Sequence, residues 1–85
     1  MKSRTTRSFR EAYRNLPTEV QERTRKAYQL WRANPNLPGL RYKRVNNSVS
    51  VRIGRTYRAL GWIEGDTVYW YWIGHHRQYD RILER

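Results

Sequence analysis

The chain is 85 residues long, with 18 Lys and Arg against 7 Asp and Glu for a net charge of +11, and it contains four Trp, seven Tyr, one Phe and no Cys. That length allows one domain, spanning 1–85, whose aromatics supply most of a small core. Without cysteine there are no disulfides and no thiolate metal sites, which fits a reducing cytoplasm. No run approaches the ~20 apolar residues of a membrane span. The N-terminal MKSRTTRSFR is followed by no apolar stretch, so it does not read as a secretory signal. The excess of positive charge, with a sequence pI near 10.9, points to a polyanionic partner: nucleic acid, a ribosome, an acidic protein or an anionic membrane. Its placement is uneven. No acidic residue lies between Glu22 and Glu64, a stretch that holds Arg23, Arg25, Lys26, Arg32, Arg41, Lys43, Arg44, Arg52, Arg55 and Arg58.

In chain order, Phe9, Ala12, Tyr13 and Leu16 recur at helical spacing, with Ser8 and Glu11 as a capping box and Pro17 as the stop. Thr18 with Gln21 is a second capping signature, opening a helix to about Asn34 whose buried stripe is Val20, Thr24, Ala27 and Trp31, with Tyr28 and Leu30 at its edges. The turn chemistry of Asn34-Pro35-Asn36 and Pro38-Gly39 ends it. So short a connection between the helices predicts an antiparallel αα-hairpin.

From Leu40 the period changes to two. A short strand is expected over Leu40–Val45, then a turn at Asn46-Asn47, then a half-buried strand in which Val49, Val51 and Ile53 alternate with Ser50 and Arg52. Further strands are expected over Tyr57–Ile63 and, after a turn at Glu64-Gly65-Asp66, over Thr67–Ile73. The last of these is apolar or aromatic on both faces and belongs in the centre of the sheet. Two helices followed by hairpin-linked strands make an α+β fold, an N-terminal αα-hairpin packed on a small antiparallel β-sheet.

Register sharpens this. A three-residue Gly54-Arg55-Thr56 loop sets Ile53 opposite Tyr57, Arg52 opposite Arg58 and Val51 opposite Ala59. The apolar residues then share one face and the two arginines the other, whereas a one-residue slip would mix them. Like charges placed opposite each other destabilise a sheet, so an anion between them is one way to keep them there. Splaying into solvent is the other.

The chain has no Cys nucleophile, no GxSxG elbow and no GxxxxGK phosphate loop. Its carboxylates are few, and Glu64 with Asp66 sit in one tight turn, so the clustered acids of a two-metal nuclease are missing. Cleavage of RNA without a metal needs an activated 2′-hydroxyl, a protonated leaving oxygen and stabilisation of extra negative charge. Arg suits the last task, and His, Tyr or Lys can move the protons. Lys43, Arg52, Arg58, His76 and Tyr79 supply these types, although a His-His pair after a glycine is also what a surface loop carries. Trp62, Trp70, Trp72, Tyr71 and Tyr79 could stack bases, with Tyr79 and at most one Trp expected at the surface of so small a domain.

Three stretches, Leu40-Arg-Tyr-Lys-Arg-Val45, Ser50-Val-Arg-Ile-Gly-Arg-Thr-Tyr-Arg-Ala-Leu60 and Trp70-Tyr-Trp-Ile-Gly-His-His-Arg-Gln-Tyr-Asp80, resemble the RelE/ParE toxin superfamily of type II toxin–antitoxin systems, closest to a RelE-like branch. The helical half fits as well, so the resemblance spans nearly the whole chain. It implies a microbial RNase-type fold and a metal-independent endoribonuclease that cleaves mRNA at the ribosome, needs no cofactor and is neutralised by an acidic antitoxin encoded alongside. It implies catalytic roles for Arg58 on the transition-state phosphate, Lys43 as base or phosphate contact, and His76 and Tyr79 in proton transfer and stacking, with His75 at a variable position. Arg52, together with Arg41, Arg44, Arg55 and Arg77, is the expected substrate-binding set. ParE-like gyrase poisons share the superfamily, so a gyrase inhibitor and a non-catalytic RNA- or antitoxin-binding module stay open. Relatives begin with an apolar first strand; here Lys2–Arg7 is polar, so at most a short edge strand is expected.

Overall fold

Thr6 opens the first helix by accepting the Phe9 amide on its hydroxyl at 3.2 Å. Ahead of it runs β1 (Lys2–Thr5), and behind it α1 (Arg7–Arg14) and α2 (Thr18–Ala33). A single 3-10 turn over Pro38–Leu40 leads into β2 (Lys43–Val45), β3 (Ser48–Ile53), β4 (Tyr57–Glu64) and β5 (Thr67–His75). This is a computed structural model, and it describes residues 2–78.

The strands form one sheet in the order β1-β5-β4-β3-β2. The meander β2 to β5 is antiparallel, as expected, but β1 lies parallel to β5, so the sheet is mixed rather than antiparallel throughout. Polar Lys2–Thr5 carries no strand alternation because it is an edge strand held by its backbone, with Lys2 N–H donating to Asp66 O at 2.8 Å and Thr6 N–H to Trp70 O at 2.9 Å. β5 is interior but second from the edge, and β4 takes the middle.

Neither expected capping box forms. Ser8 lies inside α1 and its hydroxyl donates to Tyr71 O at 2.9 Å, pinning the helix to β5, while Glu11 pairs with Arg7. Pro17 rather than Thr18 caps α2, and its carbonyl takes the Val20 and Gln21 amides. Gln21 instead closes the αα-hairpin: its side chain donates to Tyr13 O at 3.0 Å, and the Tyr13 hydroxyl donates back to Gln21 O at 3.3 Å.

The stripe Val20, Thr24, Ala27 and Trp31 is buried as its spacing predicts. Its Ala27 and Trp31 form one cluster with Val49, Val51, Ile53, Ala59, Ile63, Val68, Trp70 and Ile73, which therefore mark the helix side of the sheet. Leu40–Val45 is not one strand. Leu40 is drawn into the core and Arg41 turns left-handed at φ 45°, so pairing begins only at Lys43. The register Ile53–Tyr57, Arg52–Arg58, Val51–Ala59 is as predicted, with Gly54 at φ 62° making the loop.

One bulge matters for everything that follows. Leu60 pairs with Trp72 and Gly61 with Trp70, leaving Tyr71 as the extra residue. A Cβ on Gly61 would stand 2.9 Å from Tyr69 O and 3.0 Å from the Trp70 ring, so the bulge closes only around glycine. Strict alternation would send Trp72 to the core beside Trp70. The bulge turns it to the opposite face and lets Ile73 into the core.

Candidate nucleic-acid interface

Side chains paired across a sheet share a face. On the face turned away from the helices, the pairing defines three rows. Nearest the Gly54–Thr56 loop stand Arg52, Arg58 and Gly74; next come Lys43, Ser50, Leu60 and Trp72; then Val45, Ser48, Trp62, Tyr69 and Arg4. Neither α1 nor α2 packs on this face, since α1 lies against β5 and α2 against β3 on the core side; among the described residues only the helical residues 76–78 reach it, with the Gln78 side chain against Gly74.

The first row sets two guanidinium groups on Cα atoms about 5 Å apart. Arg52 is anchored: its Nε donates to Gly54 O at 2.8 Å, which leaves its terminal nitrogens as donors. Arg58 is half-buried beside it. Gly74, opposite Arg58, leaves room for its neighbours: a Cβ there would stand 2.6 Å from the Trp72 ring and 2.7 Å from the Gln78 amide oxygen, so the side chains would have to shift. The Trp72 indole thus lies against Gly74, next to Arg58. Lys43, exposed on the edge strand, is one row over on the same face.

His76 comes to the same end of the sheet, just past β5. Its amide donates to Thr56 O at 2.6 Å and its ring Nδ1 lies 3.3 Å from that oxygen, with the ring stacked on His75 at 4.6 Å. A carbonyl accepts only from a protonated nitrogen, so this contact puts the proton on Nδ1 and leaves Nε2 for chemistry. In His75 the roles reverse: Nδ1 accepts from the Arg77 amide at 3.2 Å, and the ring meets Tyr57 edge to face.

Lys43, Arg52, Arg58 and His76 are therefore brought to one end of the molecule. The rest of the expected set divides. Arg44 pairs with Val49 and so points to the helix side, with its Nε on Asn46 O at 2.9 Å. Arg41 sits in the left-handed bend before β2, Arg55 in the hairpin loop and Arg77 beyond β5, all exposed. Tyr79 lies outside the described residues. Tyr42, packed on Trp31, has its phenol pushed above the ordinary range by burial, against a smaller opposing pull from Arg44, so it is not an activated base.

The face carries more aromatic surface than composition suggests. Trp62 and Trp72 are both half-buried there, and Tyr69 and Tyr71 join them. Trp62 stacks near-parallel on Tyr69 at 5.7 Å and tilts against Tyr71 at 5.3 Å. The signal for this set was the bulge, and only a glycine opposite an uninterrupted aromatic run hints at it.

On the helix side, a cleft of about 570 Å³ opens between α1 and α2 onto the core. Phe9, Tyr13 and Trp31 wall it, and Arg10, Arg14 and Arg25 stand at its rim with no carboxylate. Trp31 Nε1 is buried and has no hydrogen-bond partner among the described residues. No helix of the described residues is long and apolar enough to cross a membrane.

A family model described as the ParE-like toxin domain matches residues 18–81. The chain belongs to that family. Its fold matches the RelB–RelE antitoxin–toxin complex of Methanococcus jannaschii with a TM-score of 0.66 at 20% identity, covering 91% of this chain and 95% of that one. The RelBE2 toxin–antitoxin complex of Mycobacterium tuberculosis gives 0.65 at 25% identity over 87% and 95%. The isolated RelE toxin of E. coli gives 0.66 at 13% identity over 99% and 96%. No match is found among curated proteins. These findings support the RelE/ParE superfamily and a toxin of a toxin–antitoxin system.

Proposed function

We propose that this RelE/ParE toxin is a metal-independent endoribonuclease that cleaves mRNA at the ribosome, in the cytoplasm. The observation that carries the reading is the opposed pair Arg52 and Arg58 on an open basic face, with Lys43 one row away and His76 at the same end. Arg58 stabilises the charge that builds on the phosphate as the 2′-oxygen attacks, and Arg52 holds the neighbouring phosphate oxygens. His76, through Nε2, exchanges a proton with the attacking or leaving oxygen, and Lys43 offers the second proton-transfer or phosphate contact. Tyr79 follows His76 by three residues and joins the set as a stacking or proton-transfer group.

Ribosomes programmed with a defined message provide the test. Purified protein cuts the message with no metal added beyond the Mg²⁺ that the ribosome itself requires, and Arg58→Ala does not. A message left whole by the wild-type protein overturns the reading.

The ParE-like description of the family model favours one second reading, a gyrase inhibitor. It needs no acid–base set, so toxicity would survive His76→Ala, and DNA damage would precede translation arrest.

The partner we propose is an antitoxin, as in the complexes this fold matches. The interhelical cleft suits an acidic amphipathic helix: apolar floor, arginine rim, and a buried indole N–H with no acceptor among the described residues. Reversing the rim with Arg14→Glu and Arg25→Glu should weaken binding of an acidic antitoxin helix and leave cleavage unchanged.

A further inference from the structure

The aromatic patch at the far end of the open face is not needed by the chemistry just described. We propose that Trp62, Tyr69 and Tyr71 form a stacking subsite for an unpaired RNA base, set apart from the arginines that hold the reacting phosphate. The inference rests on the ribonuclease reading and adds to it a second point of grip on the RNA.

Four observations lead there. First, the rings of the core are elsewhere: Trp31 and Trp70 are each 4% exposed on the helix side, whereas Trp62, Tyr69 and Tyr71 stay half-buried on the face that α1 and α2 leave uncovered. Second, the indole is fixed. Trp62 Nε1 donates to Glu64 Oε1 at 3.3 Å, and Tyr69 lies within 21° of parallel to it, so its polar edge is satisfied and π surface is what remains to offer. A base extends such a near-parallel stack by the same contact, whatever its sequence.

Third, charge divides along the face. The arginines and Lys43 occupy the end near the Gly54–Thr56 loop, while Glu64 and Asp66 occupy the β4–β5 turn beside Trp62. A phosphate is favoured at the first end; at the second Asp66 is paired with Lys2 at 3.9 Å and Glu64 with the Trp62 indole, so the charge there is nearly balanced and suits a neutral base. Exposed Arg4, paired with Tyr69 on the edge strand, can still hold the backbone as it passes. Fourth, the spacing suits one strand. Trp62 follows Arg58 by four residues on β4, about 13 Å. That is the reach of about four stacked nucleotides at roughly 3.4 Å per step, and fewer in an extended strand.

The base can come from the message or from ribosomal RNA, and cleavage on programmed ribosomes separates the two. Trp62→Leu should raise KM about tenfold and leave kcat within about twofold, as loss of one base–aromatic stack does. Trp62→Phe, which keeps a ring, should behave as wild type. If the base belongs to the message, one abasic position two to four nucleotides from the cut brings the wild-type protein to the Trp62→Leu level and costs that variant nothing more. If it belongs to ribosomal RNA, no abasic position does so, and the Trp62→Leu defect persists.

The inference is overturned, with the ribonuclease reading intact, if Trp62→Leu cuts with wild-type KM while Arg58→Ala is inactive. It is overturned too if Trp62→Leu and Trp62→Phe lose kcat and KM alike, which marks a merely structural role, or if Trp62→Leu disturbs only binding of a protein partner. If the wild-type protein cuts no message, the ribonuclease reading fails and this one with it.

Discussion

On the helix side of the sheet Trp31 meets Trp70 edge to face at 5.3 Å, and both are sealed from water. On the other side Trp62 and Trp72 lie half-buried among Arg4, Lys43, Arg52 and Arg58. The same strands and the same residue type serve both faces, and what separates them is the pleat plus a single bulge at Tyr71. Stability should therefore respond to changes on one face and activity to changes on the other. The largest effect we expect tests the first half. Trp70→Ala removes the ring that contacts Trp31 and the indole N–H that donates to Ser3 Oγ at 2.9 Å, which ties β1 to β5. It should cost about 3–5 kcal/mol in urea unfolding. Trp62→Leu, on the open face, should cost about 1 kcal/mol or less. Equal losses would mean that the open face is a second core.

Arg58→Ala tests the other half. It should lower mRNA cleavage by about 100- to 1,000-fold, the usual effect of removing one donor from a developing oxyanion, while the unfolding midpoint moves little. A variant that cleaves as well as wild type, or that loses activity only because it unfolds, breaks the division between the faces.

Gly61 links the two. Gly61→Ala puts a methyl against the Tyr69 carbonyl and the Trp70 ring, so the bulge must open or slip. A destabilisation of about 1–3 kcal/mol is expected, together with a change in accessibility of Trp72, because slipping the register exchanges its face. Acrylamide quenching of tryptophan fluorescence would report that exchange. Unaltered quenching with unaltered stability would show that the bulge does not set which way Trp72 points.

These residues also show how far the sequence could be read. Helix periodicity gave the α2 stripe because all four buried positions fall on one 3.6-residue face, and hairpin chemistry gave the Arg52–Arg58 pair because the loop length and the apolar alternation agree. β1 left only a trace because an edge strand bonded through its backbone needs no apolar side chains. Which face Trp72 takes could not be read from the sequence, because a bulge changes parity without changing composition. Of the candidate site, Arg52 and Arg58 are directly paired, with Lys43 one row away on the same face and His76 at the same end of the sheet, while Arg44 faces the other way: one residue along an edge strand is enough to reverse the face.

The smallest effect separates two threonines that look alike in the sequence. Thr6 and Thr18 each precede a helical run, and only Thr6 uses its hydroxyl as a cap, accepting from Phe9 N–H while its own proton goes to Trp70 O at 3.1 Å. Thr18 sits one residue too late, after Pro17 has already taken the cap position. Thr6→Ala should therefore cost about 1 kcal/mol, a fall of about 4–8 °C in Tm for a domain of this size. Thr18→Ala should change Tm by less than about 2 °C, because it removes no hydrogen bond and alanine is the better helix former. Since Thr6 also fastens the start of α1 to β5, and α1 presents Phe9 and Tyr13 to the interhelical cleft, its loss should be felt on the helix side alone. Cleavage by Thr6→Ala at a temperature where it stays folded should match wild type, and a parallel loss of kcat would show that the open face depends on the helices more closely than the pleat implies.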